Sequence, residues 1–288
     1  MTTNLSLSLD AAGLVLLAAL FHATWNALVK TGGDRLSVLA MVNGCSALIA
    51  FCMLPFVAVP ASASWGYLFA SIILHTGYYF FLVAAYRVGD LSHVYPLARG
   101  LSPLLVAGAA VVFAAEILSS AAMLGVLLAC AGIVSLSFDR GPPWKNDPRP
   151  LLFALGTAGF IAAYTLVDGI GVRLSGTVSG YVAWLFALDA FPLILVTWIL
   201  RRREFYWTLR AEWRKGAAGG VLALAAYGLV IWAMSLAPMA AVSALRETSV
   251  IFAALIGTIV LKERFGALRI SAAAAVAAGV VLMNLARG

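Results

Sequence analysis

Pro96-Leu97-Ala98-Arg99-Gly100-Leu101-Ser102-Pro103 sets one arginine inside an apolar run that extends from 91 to 113. Ala244-Leu245-Arg246-Glu247-Thr248-Ser249 sets another inside the run from 239 to 261. Each run has about the ~20 residues that a helix needs to cross the ~30 Å hydrocarbon core of a bilayer. A charge at that depth costs at least about 2.5–3.5 kcal/mol on insertion scales, so it persists only when paired or facing water. The two arginines lie 147 positions apart. They decide the reading of the chain: a membrane protein, made of two copies of one unit.

Working outward, residues 86–138 laid over 233–285 put Arg99 on Arg246, Ser102 on Ser249, Glu116 on Glu263 and Gly132 on Gly279. The beginnings of the halves align at a shift of 139, with Phe21 on Phe160 and Trp25 on Tyr164. Ten apolar stretches are long enough to span: 10–30, 35–57, 65–86, 91–113, 119–138, 150–172, 177–200, 215–236, 239–261 and 266–285. Five helices per copy is an odd number, so the second copy is inverted in the membrane. The fold expected is therefore an all-α integral membrane protein, two inverted five-helix repeats around a central cavity. Residues 1–140 form the first repeat, 141–149 a polar linker (cytoplasmic on the charge bias below), and 150–288 the second repeat. Inverted repeats place a substrate site near the midplane, where the copies meet.

Composition agrees. Of 288 residues, 63% are hydrophobic and 11% charged, against roughly a quarter charged in a soluble domain, and mean hydropathy is +1.00. A soluble enzyme, a disordered chain and a DNA-binding domain are excluded. The net charge of +7 points to no nucleic acid, because the basic residues fill short gaps between apolar runs and form no stripe. Their bias places gaps 1–2, 3–4, 5–6, 7–8 and 9–10 in the cytoplasm and both termini outside, as in a multi-pass protein of a bacterial inner membrane. The first run lacks a cleavage site in the usual place and reads as a retained helix. Cys45, Cys52 and Cys130 are odd in number and lie in apolar runs, so no disulfide framework is expected.

Within the spans, His22, Trp25, Asn26 and Val29 share one helical face. His75, Tyr78, Tyr79, Leu82 and Tyr86 share another, and Phe160, Tyr164 and Asp168 a third. Tyr227 and Ile231, with Trp232 beside them, form a fourth; Tyr95, Arg99 and Ser102 line a fifth. Such faces suit an aromatic cavity with a few hydrogen-bonding groups, or polar contacts between helices. A guanidinium matches a carboxylate in a two-point fork. Arg99 or Arg246 therefore either holds a substrate carboxylate or forms an ion pair with Asp168, Asp189 or Glu247. Those three acids are also candidate proton carriers. Glu247 points ~100° away from Arg246 on an ideal helix, better placed to meet another helix. His93 is expected at an exposed helix start. Pro96, Pro103 and Pro192 suggest kinks, and Gly125, Gly132, Gly156 and Gly279 close helix contacts.

His22-Ala-Thr-Trp25-Asn26-Ala-Leu-Val-Lys30, the two arginine segments and Leu261-Lys-Glu263-Arg-Phe-Gly266 resemble the drug/metabolite transporter superfamily, EamA type. The resemblance covers the whole chain. Among characterised members it is most similar to bacterial aromatic amino-acid exporters of the YddG type. It implies ten helices and small-molecule transport. Two departures stand out. Glu116-Ile-Leu-Ser replaces the commoner Gly-Glu-Arg-Leu, so that loop lacks its basic partner. The first span carries no glutamate of the small multidrug kind.

The function expected is secondary transport: export of amino acids, aromatic or bulky apolar ones preferred, or of related metabolites, by alternating access. Efflux of organic cations is the alternative, since aromatic cages also suit cations. No phosphate-binding loop is present, so direct ATP drive is not expected. Three histidines without H-E-x-x-H offer no metal site, so neither cofactor nor enzymatic activity is expected. A channel would want a charged ring or a filter loop. The partners expected are a small-molecule substrate and lipid, and two fused halves suffice for a monomer.

Overall fold

The structure, a computed structural model, describes residues 8–88, 91–138, 147–261 and 266–285, the side chains at 83, 85–88, 91–93 and 257–261 excepted. Ten helices account for nearly all of it: α1 Leu9–Lys30, α2 Arg35–Met53, α3 Ser62–Val88, α4 Leu91–Ala114, α5 Ser120–Ser135, α6 Arg149–Leu174, α7 Val178–Leu236, α8 Met239–Arg246, α9 Ser249–Leu261 and α10 Ala267–Leu285. No strand occurs among the described residues. Eight helical segments among those residues are long and apolar enough to cross a membrane. Lipid offers no hydrogen-bond partner, which is why the chain stays helical almost throughout. Several starts are capped from the sequence: Ser8, Asp34, Ser119 and Thr177 each accept a first-turn N–H.

The 59-residue α7 corrects the reading of 200–215 as a plain gap. Straight, it would run about 88 Å. Yet Tyr181 and Tyr227, 46 residues apart, both donate to the carboxylate of Asp168. The helix therefore folds back, and it does so at Arg201 (φ −130°) and Glu212 (φ −122°). The arms 178–200 and 213–236 are the seventh and eighth spans, and the residues between them form a helical bridge. Its Tyr206 and Trp207 are exposed beside arginines, with Arg210 stacked over Tyr206, as suits a helix at the headgroup level. The α1–α2 turn docks on this bridge. Gly33 N–H donates to Glu212 at 3.0 Å, which holds that carboxyl below its usual range, and Lys215 donates to the Thr31 carbonyl at 3.0 Å.

The ninth span is also interrupted. α8 ends at Arg246 and α9 begins at Ser249, with Glu247 and Thr248 tightened into three-residue turns on Ala244 and Leu245. The kinks expected at prolines are not where the chain breaks. α4 runs on through Pro96 and Pro103, and the first arm of α7 through Pro192.

Inversion of the halves is visible where α5 meets α10. Gly125 abuts the Gly279 backbone and Gly132 abuts Ala272. Rising along α5 means falling along α10, so the two are antiparallel. Under the 147-residue shift, Gly125 corresponds to Ala272 and Gly132 to Gly279, so the two contacts exchange with each other. That is the signature of a twofold axis relating the copies. α3 and α6 are likewise antiparallel, Gly77 against Phe160 and Gly156 against Phe81. The three cysteines are free thiols.

The glycine pair fixes how close α5 and α10 come. A Cβ on Gly125 would stand 2.6 Å from the Gly279 carbonyl oxygen, and one on Gly279 would stand 2.5 Å from that of Gly125. Gly108 meets nothing within 4 Å. Gly125→Ala or Gly279→Ala is therefore expected to destabilise by about 1–3 kcal/mol through overpacking. Gly108→Ala should be neutral or stabilising by up to about 1 kcal/mol. Thermal unfolding in detergent, followed by size-exclusion fluorescence, checks the contrast; equal effects at the three positions would contradict the packing.

Candidate functional site

Where the repeats meet, one carboxylate serves two guanidiniums. Glu247, completely buried, lies 2.6 Å from Arg99 Nε and 3.4 Å from Arg246 Nη2. Arg99 is supplied by α4 and Arg246 by the end of α8, so each half of the protein contributes one. Arg99 also donates to Ser249 at 3.3 Å. The three side chains together carry one excess positive charge. Arg246 Nε is buried without a hydrogen-bond partner, and the close Arg99–Glu247 contact is an ion pair rather than an aligned hydrogen bond.

Both arginines face a cavity of about 520 Å³, inside the range of small-molecule sites. Its wall is aromatic. The His75 ring stacks on Tyr164 at 4.0 Å, and Tyr227 and Tyr78 meet Tyr164 edge-on at 6.0 and 5.9 Å. His75 Nδ1 sits 3.0 Å from the Ser71 carbonyl. A carbonyl only accepts, so Nδ1 carries the proton and Nε2 is left as the acceptor of the neutral ring. Asn26 donates an amide N–H to the His22 carbonyl, and Tyr79 donates to Asn43. The cavity reaches the surface between the exposed Lys30 and Arg35, at the end where basic residues gather.

The opposite end is closed. Ala12, Val15, Leu68, Val172, Tyr181, Met234 and Met239 are buried there. Glu116, past the end of α4, pairs with Arg173 near the end of α6 at 2.5 Å and accepts the Met239 N–H at 2.8 Å. Arg173 donates to the Met234 and Ala237 carbonyls, both at 2.9 Å. Three interhelical connections are thus tied by one polar cluster. Glu116 does have a basic partner, and it comes from the other repeat. Sequence reading missed the pair; the signal available was that both are isolated charges on the side poor in lysine and arginine.

Of the residues singled out from the sequence, Trp25, Asn26, His75, Tyr78, Tyr79, Tyr95, Arg99, Tyr164, Asp189, Tyr227 and Arg246 line the cavity. Asn43, Leu185 and Phe186 join them unforeseen. Trp232 does not line it. Five residues beyond Tyr227, it points about 140° away and packs into the apolar core. Asp168 lies behind the wall, fully buried, satisfied by the hydroxyls of Tyr181 at 3.0 Å and Tyr227 at 2.5 Å and paired with neither arginine. Glu247 sits beneath the arginines. The side chains of Tyr86 and His93, and Glu263 altogether, lie outside the described residues, as does most of the 141–149 linker.

The EamA-like transporter family matches residues 10–138 and again residues 148–285. Each match covers one of the two inverted repeats. Comparison with curated proteins returns no match. A solved structure described as "Crystal structure of protein" is similar over 97% of this chain and 99% of its own, with a TM-score of 0.78 at 20% identity; the likeness bears on the fold.

Removing the shared carboxylate leaves two buried guanidiniums without their counterion. Glu247→Gln is expected to cost about 3–5 kcal/mol, read as a large fall in thermal unfolding temperature. Adding Arg99→Gln to it should cost less than the sum of the two single changes. Additive losses would show that the triad is not energetically coupled.

Proposed function

The chain belongs to the EamA-like transporter family, and we propose that it is a secondary transporter exporting amino acids, aromatic or bulky apolar ones first, by alternating access. The observation that carries this reading is the pair of arginines sharing one carboxylate on the cavity wall. Their excess positive charge, with an unpartnered Arg246 Nε, suits a substrate carboxylate. The rings of Tyr78, Tyr164 and Tyr227 suit a flat apolar side chain. Efflux of organic cations also draws on aromatic walls; the net charge of the triad weighs against it.

If the basic end faces the cytoplasm, the cavity is open inward and the Glu116–Arg173 cluster is the closed outer gate. Export then requires that cluster to part while Lys30 and Arg35 draw together over the mouth. The break at Glu247–Thr248 puts a joint in the ninth span beside the arginines, where bending of that span would alter the ion pairs.

Counterflow in proteoliposomes tests the substrate class. Aromatic amino acids are expected to exchange saturably, with Arg246→Gln lowering apparent affinity about ten- to a hundredfold, the loss of a charge-assisted hydrogen bond. Undiminished amino-acid flux in Arg246→Gln would refute the clamp. The gate is tested separately on an Ala240→Cys background, a position 2% exposed at the closed end. Glu116→Gln should speed labelling by an impermeant thiol reagent several-fold, and the swap Glu116→Arg with Arg173→Glu should restore protection. Labelling unaffected by Glu116→Gln would remove the gate from the mechanism.

A further inference from the structure

Asp189, on the first arm of α7, lines the cavity and is 8% exposed. Its Oδ1 is fully covered and has no hydrogen-bond partner. No ion pair or hydrogen bond to it occurs among the described residues. In this it differs from the other two acids of the transmembrane core, since Glu247 has its arginines and Asp168 its tyrosines. An unpaired carboxylate in an apolar wall is expensive, and such groups inside membranes mark substrate or ion pathways.

Its surroundings accept hydrogen bonds. Tyr79, which also lines the cavity, directs its hydroxyl hydrogen to Asn43 at 2.9 Å, leaving lone pairs and a ring face. Carboxylate, phenolic oxygen and aromatic faces form an acceptor set for an ammonium group, whose three N–H bonds need acceptors and whose charge is drawn to rings. The arginine triad offers the reverse, donors and excess positive charge, on the wall formed by α4 and α8.

We propose that Asp189 is the ammonium subsite of the cavity, binding the α-ammonium of a zwitterionic substrate whose carboxylate is held by Arg246. This rests on the amino-acid reading above and deepens it: the cavity is dipolar, so the substrate class is α-amino acids rather than carboxylates or amines alone.

The experiment compares L-phenylalanine with 3-phenylpropionate, which lacks the ammonium, and phenethylamine, which lacks the carboxylate, by affinity for purified protein in nanodiscs. Wild type is expected to prefer phenylalanine. Asp189→Asn should weaken phenylalanine and phenethylamine about ten- to a hundredfold and leave 3-phenylpropionate within about twofold. Arg246→Gln should weaken phenylalanine and 3-phenylpropionate and spare phenethylamine. Thermal stability of Asp189→Asn should hold or rise, because no ion pair or hydrogen bond is lost with the carboxyl group, and Asp189→Glu should keep the ammonium preference. Equal weakening of all three ligands in Asp189→Asn overturns the assignment. So does unchanged phenylalanine affinity with loss of proton-driven uptake, which would make Asp189 a proton carrier. Wild type that takes phenethylamine but not phenylalanine, with Asp189→Asn weakening it, overturns the amino-acid reading while the ammonium site stands. Wild type that binds none of the three overturns both.

Discussion

Glu247 between Arg99 and Arg246 is the contact on which the interior of this protein depends. Two unit charges 4 Å apart interact by about 4 kcal/mol at an effective dielectric near 20. Two guanidiniums brought to one wall would push the halves apart on that scale. A carboxylate touching both supplies two short attractions, at 2.6 and 3.4 Å, against the repulsion between the guanidiniums. The duplicated arginine is tolerable because a non-duplicated acid stands between the copies.

That acid also breaks the symmetry. Under the 147-residue shift, Glu247 corresponds to Gly100. A Cβ at Gly100 would lie 2.6 Å from the Val134 side chain and 3.1 Å from the Cys130 carbonyl. α4 packs tightly on α5 there, whereas α10 spends its packing on α5. Space for a carboxylate therefore exists in the second copy and not in the first. The chain breaks at Glu247–Thr248 without proline or glycine, while the first copy runs unbroken through two prolines.

The spans, the inversion and most cavity residues were legible because their causes are local or periodic. Apolar length marks a crossing, a 3.6-residue spacing gathers His22 with Asn26 and His75 with Tyr79, and rare arginines betray the copy. What stayed hidden depends on distant partners. The bridge after Arg201 is amphipathic and basic, so a search for apolar runs sees a gap. The break at Glu247 coincides with an ion pair to Arg99 on another helix. Glu116 and Arg173 are 57 residues apart in different repeats, and no spacing joins them. Trp232 shows the reverse fault: adjacency to Ile231 drew it into a face that the helical angle denies it.

The contacts also sort into those that persist through the proposed cycle and those that part. Gly216, Gly219 and Gly220 let the second arm of α7 press against Met41, Val42 and Cys45 of α2. Ser46 donates to the Gly220 carbonyl at 2.9 Å. Gly125 and Gly279 do the same for α5 and α10. Backbones this close have no slack, because sliding by a fraction of a side chain meets another helix's carbonyls. These pairs are tight joints between the two repeats. The closed end adds to its apolar packing one ion pair and three hydrogen bonds among Glu116, Arg173 and the 234–239 turn. Water can replace such polar contacts as they open, which it cannot do for glycine-tight packing. In the proposed cycle the polar cluster of Glu116 and Arg173 is the part of the closed end that water can take over, and the apolar contacts around it are the part that must separate.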